Sequence, residues 1–206
     1  MRRGPAGGAR ALTLEEEAAA ARACTLCAAA LPLGPNPVFR VGEAARLLII
    51  SQAPSSRVHV TGLPWNDASG ERLRGWLGID RATFDDGARV AIVPVGLCYP
   101  GRLPRGGDAP PRPECAPLWH PRLIPPMRQL RLTLLVGAHA VRAVLGRRAA
   151  ARLGETVRNQ AGLRARGLAV LPHPSWRTKV WADARPWFGQ EVLPGLREAV
   201  ARALAG

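Results

Sequence analysis

Hydrophobic residues along this chain gather into short unbroken runs rather than alternating with polar ones. RLLII (46–50), RVAIVPV (89–95), LTLLV (within 131–136) and LAVLP (168–172) are each bounded by turn residues and apolar on both faces. Such runs predict buried parallel strands, because a half-exposed strand would alternate. The intervening segments carry helical spacing: SGERLRGWLG (69–78), ECAPLWHPRLIPPMRQL (114–130), GAHAVRAVLG (137–146) and VLPGLREAVARALA (192–205). A further helix is expected over TLEEEAAAARA, where Thr13 and Glu16 have capping-box spacing.

Strands alternating with helices predict an α/β fold, a three-layer α/β/α sandwich on a central four-stranded parallel sheet with right-handed crossovers. In such sheets ligands bind beyond the carboxyl ends of the strands. That places the loops 51–69, 96–113 and 173–187 together. Residues 1–11 read as a flexible leader and residues 12–206 as a single domain, in keeping with a chain of 206 residues.

Charge narrows the partner. The chain carries 29 basic against 15 acidic residues, a net charge of +14, and Lys179 is its one lysine. Arginine in that excess neutralises phosphates and releases counterions, so nucleic acid is the expected partner. No apolar stretch approaches the roughly 20 residues that span a bilayer, and MRRGPAGGAR lacks the apolar segment of a secretory signal. A cytoplasmic monomer without membrane contact is the expectation.

Four cysteines bracket the most irregular part of the chain. Cys24 and Cys27 form a CxxC, Cys98 follows the second strand, and Cys115 opens the helix after the Pro/Gly-rich YPGRLPRGGDAPPRP. In a reducing compartment this arrangement points to a four-thiolate site, a 4Fe-4S cluster or structural zinc, clipping the first helix to that loop. Spacing alone does not separate the two.

The order CxxC, QAPS (52–55), GLPW (62–65), Cys98, Cys115 and HPSWR (173–177) resembles the uracil-DNA glycosylase superfamily, closest to its iron-sulfur branch, family 4, over residues 24–200. The resemblance implies hydrolysis of the N-glycosidic bond of uracil in single- or double-stranded DNA, leaving an abasic site, with the four cysteines holding a 4Fe-4S cluster. It implies that His173 donates to the departing uracil O2 and that Trp65 stacks on the flipped base. The loop at Gln52 and Ala53 then faces the base, and Ser55, Ser175, Trp176 and Arg177 meet DNA, with Trp176 and Arg177 at the place of a minor-groove wedge.

The chain also departs from the family pattern. GEAPG is SQAPS here, with Gln52 for the acidic residue, and Pro94 stands where the family has a uracil-reading Asn. Proline has no side-chain donor or acceptor. Asp67 is the expected replacement for water positioning or for stabilising a cationic sugar, and Asn66 for reading a base edge. Both could instead cap the following helix, a role Ser69 also fits. His59, His120 and His139 lack support from the pattern, and Trp76, Trp119 and Trp187 read as core. The alternative function is a catalytically silent protein that binds damaged or abasic DNA on the same fold; a zinc-stapled protein acting on another nucleic acid is a third.

Overall fold

A computed structural model describes residues 12–205; the expected leader lies outside the described residues. The sheet has four strands, β1 (Leu47–Ile50), β2 (Val90–Ile92), β3 (Leu132–Val136) and β4 (Leu168–Leu171). Their order is β2-β1-β3-β4 and every pairing is parallel. Ile49 lies between Ile92 and Leu134, and Leu134 continues the register to Ala169. Every residue of β1 and β2 is buried, so helices cover both faces and the three-layer α/β/α architecture holds.

The helices before the third strand are α1 (Leu14–Arg22), α2 (Ser56–Thr61), α3 (Ala68–Leu77), α4 (Arg81–Asp85) and α5 (Cys115–Leu123). After it come α6 (Ala138–Leu145), α7 (Arg147–Ala151), α8 (Leu153–Arg158), α9 (Ala161–Arg164), α10 (Trp176–Asp183) and α11 (Leu193–Leu204). The capping box of α1 is present in both directions, Thr13 with Glu16. A half-buried, short ion pair between Glu17 and Arg122, at 2.6 Å, fastens α1 to α5.

Several elements differ from the sequence reading. β2 stops at Ile92, short of the expected 95, although Val93 N and Val95 N, on either side of Pro94, still donate to Ile49 O and Ser51 O. α5 ends at Leu123 rather than running to 130, since Pro125 and Pro126 remove two donors. The stretch 147–165 forms α7, α8 and α9, too short for a readable period. Loop 51–69 contains α2, and loop 173–187 contains α10.

The strand that delivers the site, β4, lies at the side of the sheet and has its outer backbone groups satisfied by one side chain. Gln160 is 1% exposed. Its Nε2 donates to Val157 O at 2.8 Å and Val170 O at 3.0 Å, while its Oε1 accepts from Val170 N at 2.7 Å. Truncating it strands two buried backbone groups, each costing about 1–3 kcal/mol. Gln160→Ala is therefore expected to lower unfolding free energy by about 3 kcal/mol in a urea titration. A loss below about 1 kcal/mol would show that the Val170 groups find other partners.

Candidate active site

At the carboxyl end of the sheet the three loops enclose a cavity of about 720 Å³, large enough for a nucleotide. β1 feeds Ser51, Gln52, Ala53, Pro54 and Ser55 into its wall. Ser55 caps α2, its Oγ accepting from Val58 N at 3.3 Å, and the same hydroxyl donates to Asp67 Oδ2 at 3.2 Å. Asp67 caps α3 through Oδ1, which accepts from Gly70 N at 3.0 Å. Ser69, expected as a possible cap, lies inside that helix. Asp67 thus holds two helix starts together at the cavity wall.

Between those helices the chain turns through Trp65, the one non-glycine residue with positive φ among the described residues, at 57°. A bulky side chain in that region is strained. Gly70 makes the turn possible: a Cβ there would sit 1.8 Å from the Trp65 carbonyl oxygen. So folded, the Trp65 ring stacks on His173 with centroids 5.7 Å apart and an interplanar angle of 27°.

His173 leaves β4 directly, and the following peptide is tied back to α3 by Arg72, whose guanidinium donates to Pro174 O at 2.6 Å. Burial pushes the His173 pKa below its ordinary value, with Asp67 pulling it up and His139 pushing it down. The imidazole is consequently neutral near pH 7, able to donate from one nitrogen. Beyond it, Ser175 bonds Thr178 through the hydroxyls at 3.2 Å, and Trp176 projects 70% exposed with the Arg177 guanidinium 5.3 Å from its ring centroid. The cavity wall therefore unites Gln52, Ala53, Ser55, Trp65, Asp67, His173, Ser175, Trp176 and Arg177.

Asn66 stands apart from them. Its Oδ1 accepts from Arg81 at 3.4 Å, and it is absent from the cavity wall, so the base-reading role expected of it does not fit its placement. Trp76 and Trp119 are core residues and Trp187 packs against the core, as read from sequence.

Residues 39–197, most of the chain, match the profile of the uracil DNA glycosylase superfamily. The chain belongs to that superfamily. The matched span contains the three loops of the cavity together with Cys98 and Cys115, while the CxxC pair precedes it. Superfamily membership accounts for a DNA-glycosylase fold whose pocket opens at the strand ends.

This superfamily member also brings residues to its cavity that sequence reasoning passed over. Arg102 and Asp108 enter from the Pro/Gly-rich segment, and Arg72 acts through the Pro174 carbonyl. His120 Nε2 lies 3.0 Å from Pro94 O, so α5 fixes the backbone where the family pattern has Asn. Only Arg72 carries a sequence signal, since it stands three residues after Ser69, where a capping box would have an acidic residue.

The four cysteines surround a second, smaller cavity, whose wall also includes Leu97, Arg112 and Trp119. None forms a disulfide. Burial pushes the Cys115 thiol up to about 11, although Leu97 N–H donates to its Sγ at 3.2 Å; Cys98 is raised for the same reason. The Arg112 Nε is buried without a hydrogen-bond partner. Among the described residues no three His, Cys, Asp or Glu side chains are gathered closely enough to share one metal ion.

The stack and the carboxylate make a titration testable. An NMR titration should place His173 below the ordinary 6.5, and Asp67→Asn should lower it further by removing the charge that pulls it up. A rise on Asp67→Asn would mean that Asp67 does not act on the imidazole.

Proposed function

We propose that the protein hydrolyses the N-glycosidic bond of uracil in DNA and leaves an abasic site, as a divergent relative of the iron-sulfur family 4 branch. The observation that carries this reading is the neutral His173, stacked on Trp65 in a nucleotide-sized cavity at the strand ends. A flipped uracil needs an aromatic or apolar wall and a donor at O2, where negative charge grows as the bond breaks. Trp65 supplies the wall and His173 the donor. A neutral imidazole suits this task because it stabilises the developing anion without first surrendering its proton.

Asp67 is a fixed anion beside the sugar position, where it stabilises the cationic deoxyribose. The loop at Gln52 and Ala53 replaces the missing Asn side chain in reading the base, through backbone N–H groups of a kind that Pro94 lacks. Ser55 and Ser175 approach the phosphates, and exposed Trp176 with Arg177 fills the gap left by the flipped nucleotide. The excess of arginine draws in DNA, and the reaction is assigned to a monomer in the cytoplasm. Among the described residues no helix is long and apolar enough to cross a membrane.

Cys24, Cys27, Cys98 and Cys115 would hold a 4Fe-4S cluster rather than zinc. Support comes from four unpaired thiols lining one cavity and from the orphaned Arg112 N–H in its wall, a donor suited to an anionic group. The cluster would supply structural Fe–S bonds joining the end of α1 to the feet of the segment 99–113. Zinc in its place would leave the protein colourless.

The deciding experiment is a single-turnover assay of anaerobically purified protein on uracil-containing single- and double-stranded oligonucleotides, reading free uracil and alkali-labile breaks. Uracil release is expected, with His173→Ala slower by a factor of about 100 or more. Binding to abasic DNA without release would favour the silent DNA-binding alternative. Cys98→Ala should lose iron and visible absorbance and weaken DNA binding; full metal content and unchanged affinity would remove the cysteine assignment.

A further inference from the structure

The segment between Cys98 and Cys115 is a built element. Arg102 and Asp108 form an antiparallel bridge. Leu103 N donates to Gly107 O, Gly106 N to Leu103 O, and Ala109 N to Gly101 O, each at 2.9 Å. Gly106 and Gly107, with φ of 87° and 84°, close the turn in conformations that side chains rarely adopt. The result is a small hairpin whose two feet lead to cysteines and whose inner side, including Arg102, Leu103 and Asp108, lines the larger cavity.

Two carboxylates therefore face one cavity, and their situations differ. Both oxygens of Asp67 are occupied, Oδ1 by the Gly70 N–H and Oδ2 by the Ser55 hydroxyl. Among the described residues the carboxylate of Asp108 receives no hydrogen bond. Asp108 is exposed at the cavity mouth, yet partial desolvation still pushes its pKa up, against the pull of Arg102 and with the nearby charge of Asp67 adding to the rise. His173 and Arg177 are the other titratable or charged groups in the same wall. A carboxylate with no hydrogen bond from the protein and a raised pKa is a better proton acceptor than one whose two oxygens each already accept a hydrogen bond.

We propose that Asp108 is the catalytic base of the glycosylase reaction, taking a proton from the attacking water, while Asp67 serves as fixed countercharge and positioning residue. The assignment rests on the uracil-excising reading above. The water oxygen forms a bond to C1′ of the deoxyribose as the C1′–N1 bond breaks. The bonding pair leaves with uracil, its charge spread onto O2 and met by the His173 N–H. The water proton passes to Asp108 and then to solvent, and the uracil anion takes up a proton from solvent. One water is consumed for each uracil freed.

The test is single-turnover excision by wild type, Asp108→Asn, Asp108→Glu and Asp67→Asn from pH 9 down to the ordinary carboxylate range near 3.8, with binding to oligonucleotides carrying a tetrahydrofuran abasic analogue measured alongside. Wild type should show a rate limb rising with pH as Asp108 ionises. Asp108→Asn should be slower by about 100-fold or more, with analogue binding retained and that limb gone. Asp108→Glu should recover part of the rate, and Asp67→Asn should keep the limb but move it to lower pH. Active wild type matched in rate by Asp108→Asn, or a slow Asp108→Asn that keeps the limb, overturns this assignment alone. Wild type that frees no uracil overturns the underlying reading and this assignment with it.

Discussion

The Asp67 carboxylate is the interaction on which the rest of the site depends. One oxygen closes the start of α3 and the other takes the Ser55 hydroxyl that starts α2, so two helices meet at a single side chain. The turn between them forces Trp65 into a left-handed conformation that costs about 1–3 kcal/mol. A helix cap returns about 1 kcal/mol and an aromatic stack about 0.5–1.5. The cap alone falls short of the upper cost, and cap plus stack roughly meets it. The strained tryptophan, the histidine it rests on and the carboxylate that tunes that histidine therefore stand or fall together.

The fold was legible because its strands are buried on both faces. Unbroken runs such as RLLII mean one thing in a chain with regular helical segments between them, and the sheet follows. What escaped was short or broken by proline. α7, α8 and α9 are each under two turns, below the length at which periodicity speaks. Segment 114–130 kept its helical spacing past Leu123, yet two prolines ended the helix there.

The site was legible where a residue follows a strand directly. His173 and the loop at Gln52 sit at strand ends, so the topology places them before any side chain is considered. Neighbours in sequence were harder. Asn66 and Asp67 are adjacent polar residues with the same apparent options, and only the turn decides that one faces Arg81 and the other the cavity. Asp108 was hidden by composition: the Gly and Pro around it carry no period to read, whereas the paired glycines are what bends the hairpin back. The cysteines show the reverse case: residues far apart in sequence, singled out by type and spacing, line one cavity.

A four-stranded parallel sheet ends in two strands whose outer sides offer ready partners to any extended chain. Here those berths are filled from within. Gln160 mimics a peptide unit alongside Val170, and the Arg40 backbone exchanges both its bonds with Ile92 at the opposite margin. An invading strand would have to displace groups already satisfied at each side. The sheet is closed to lateral growth at these two positions, so neighbouring molecules would find no backbone there on which to nucleate aggregation.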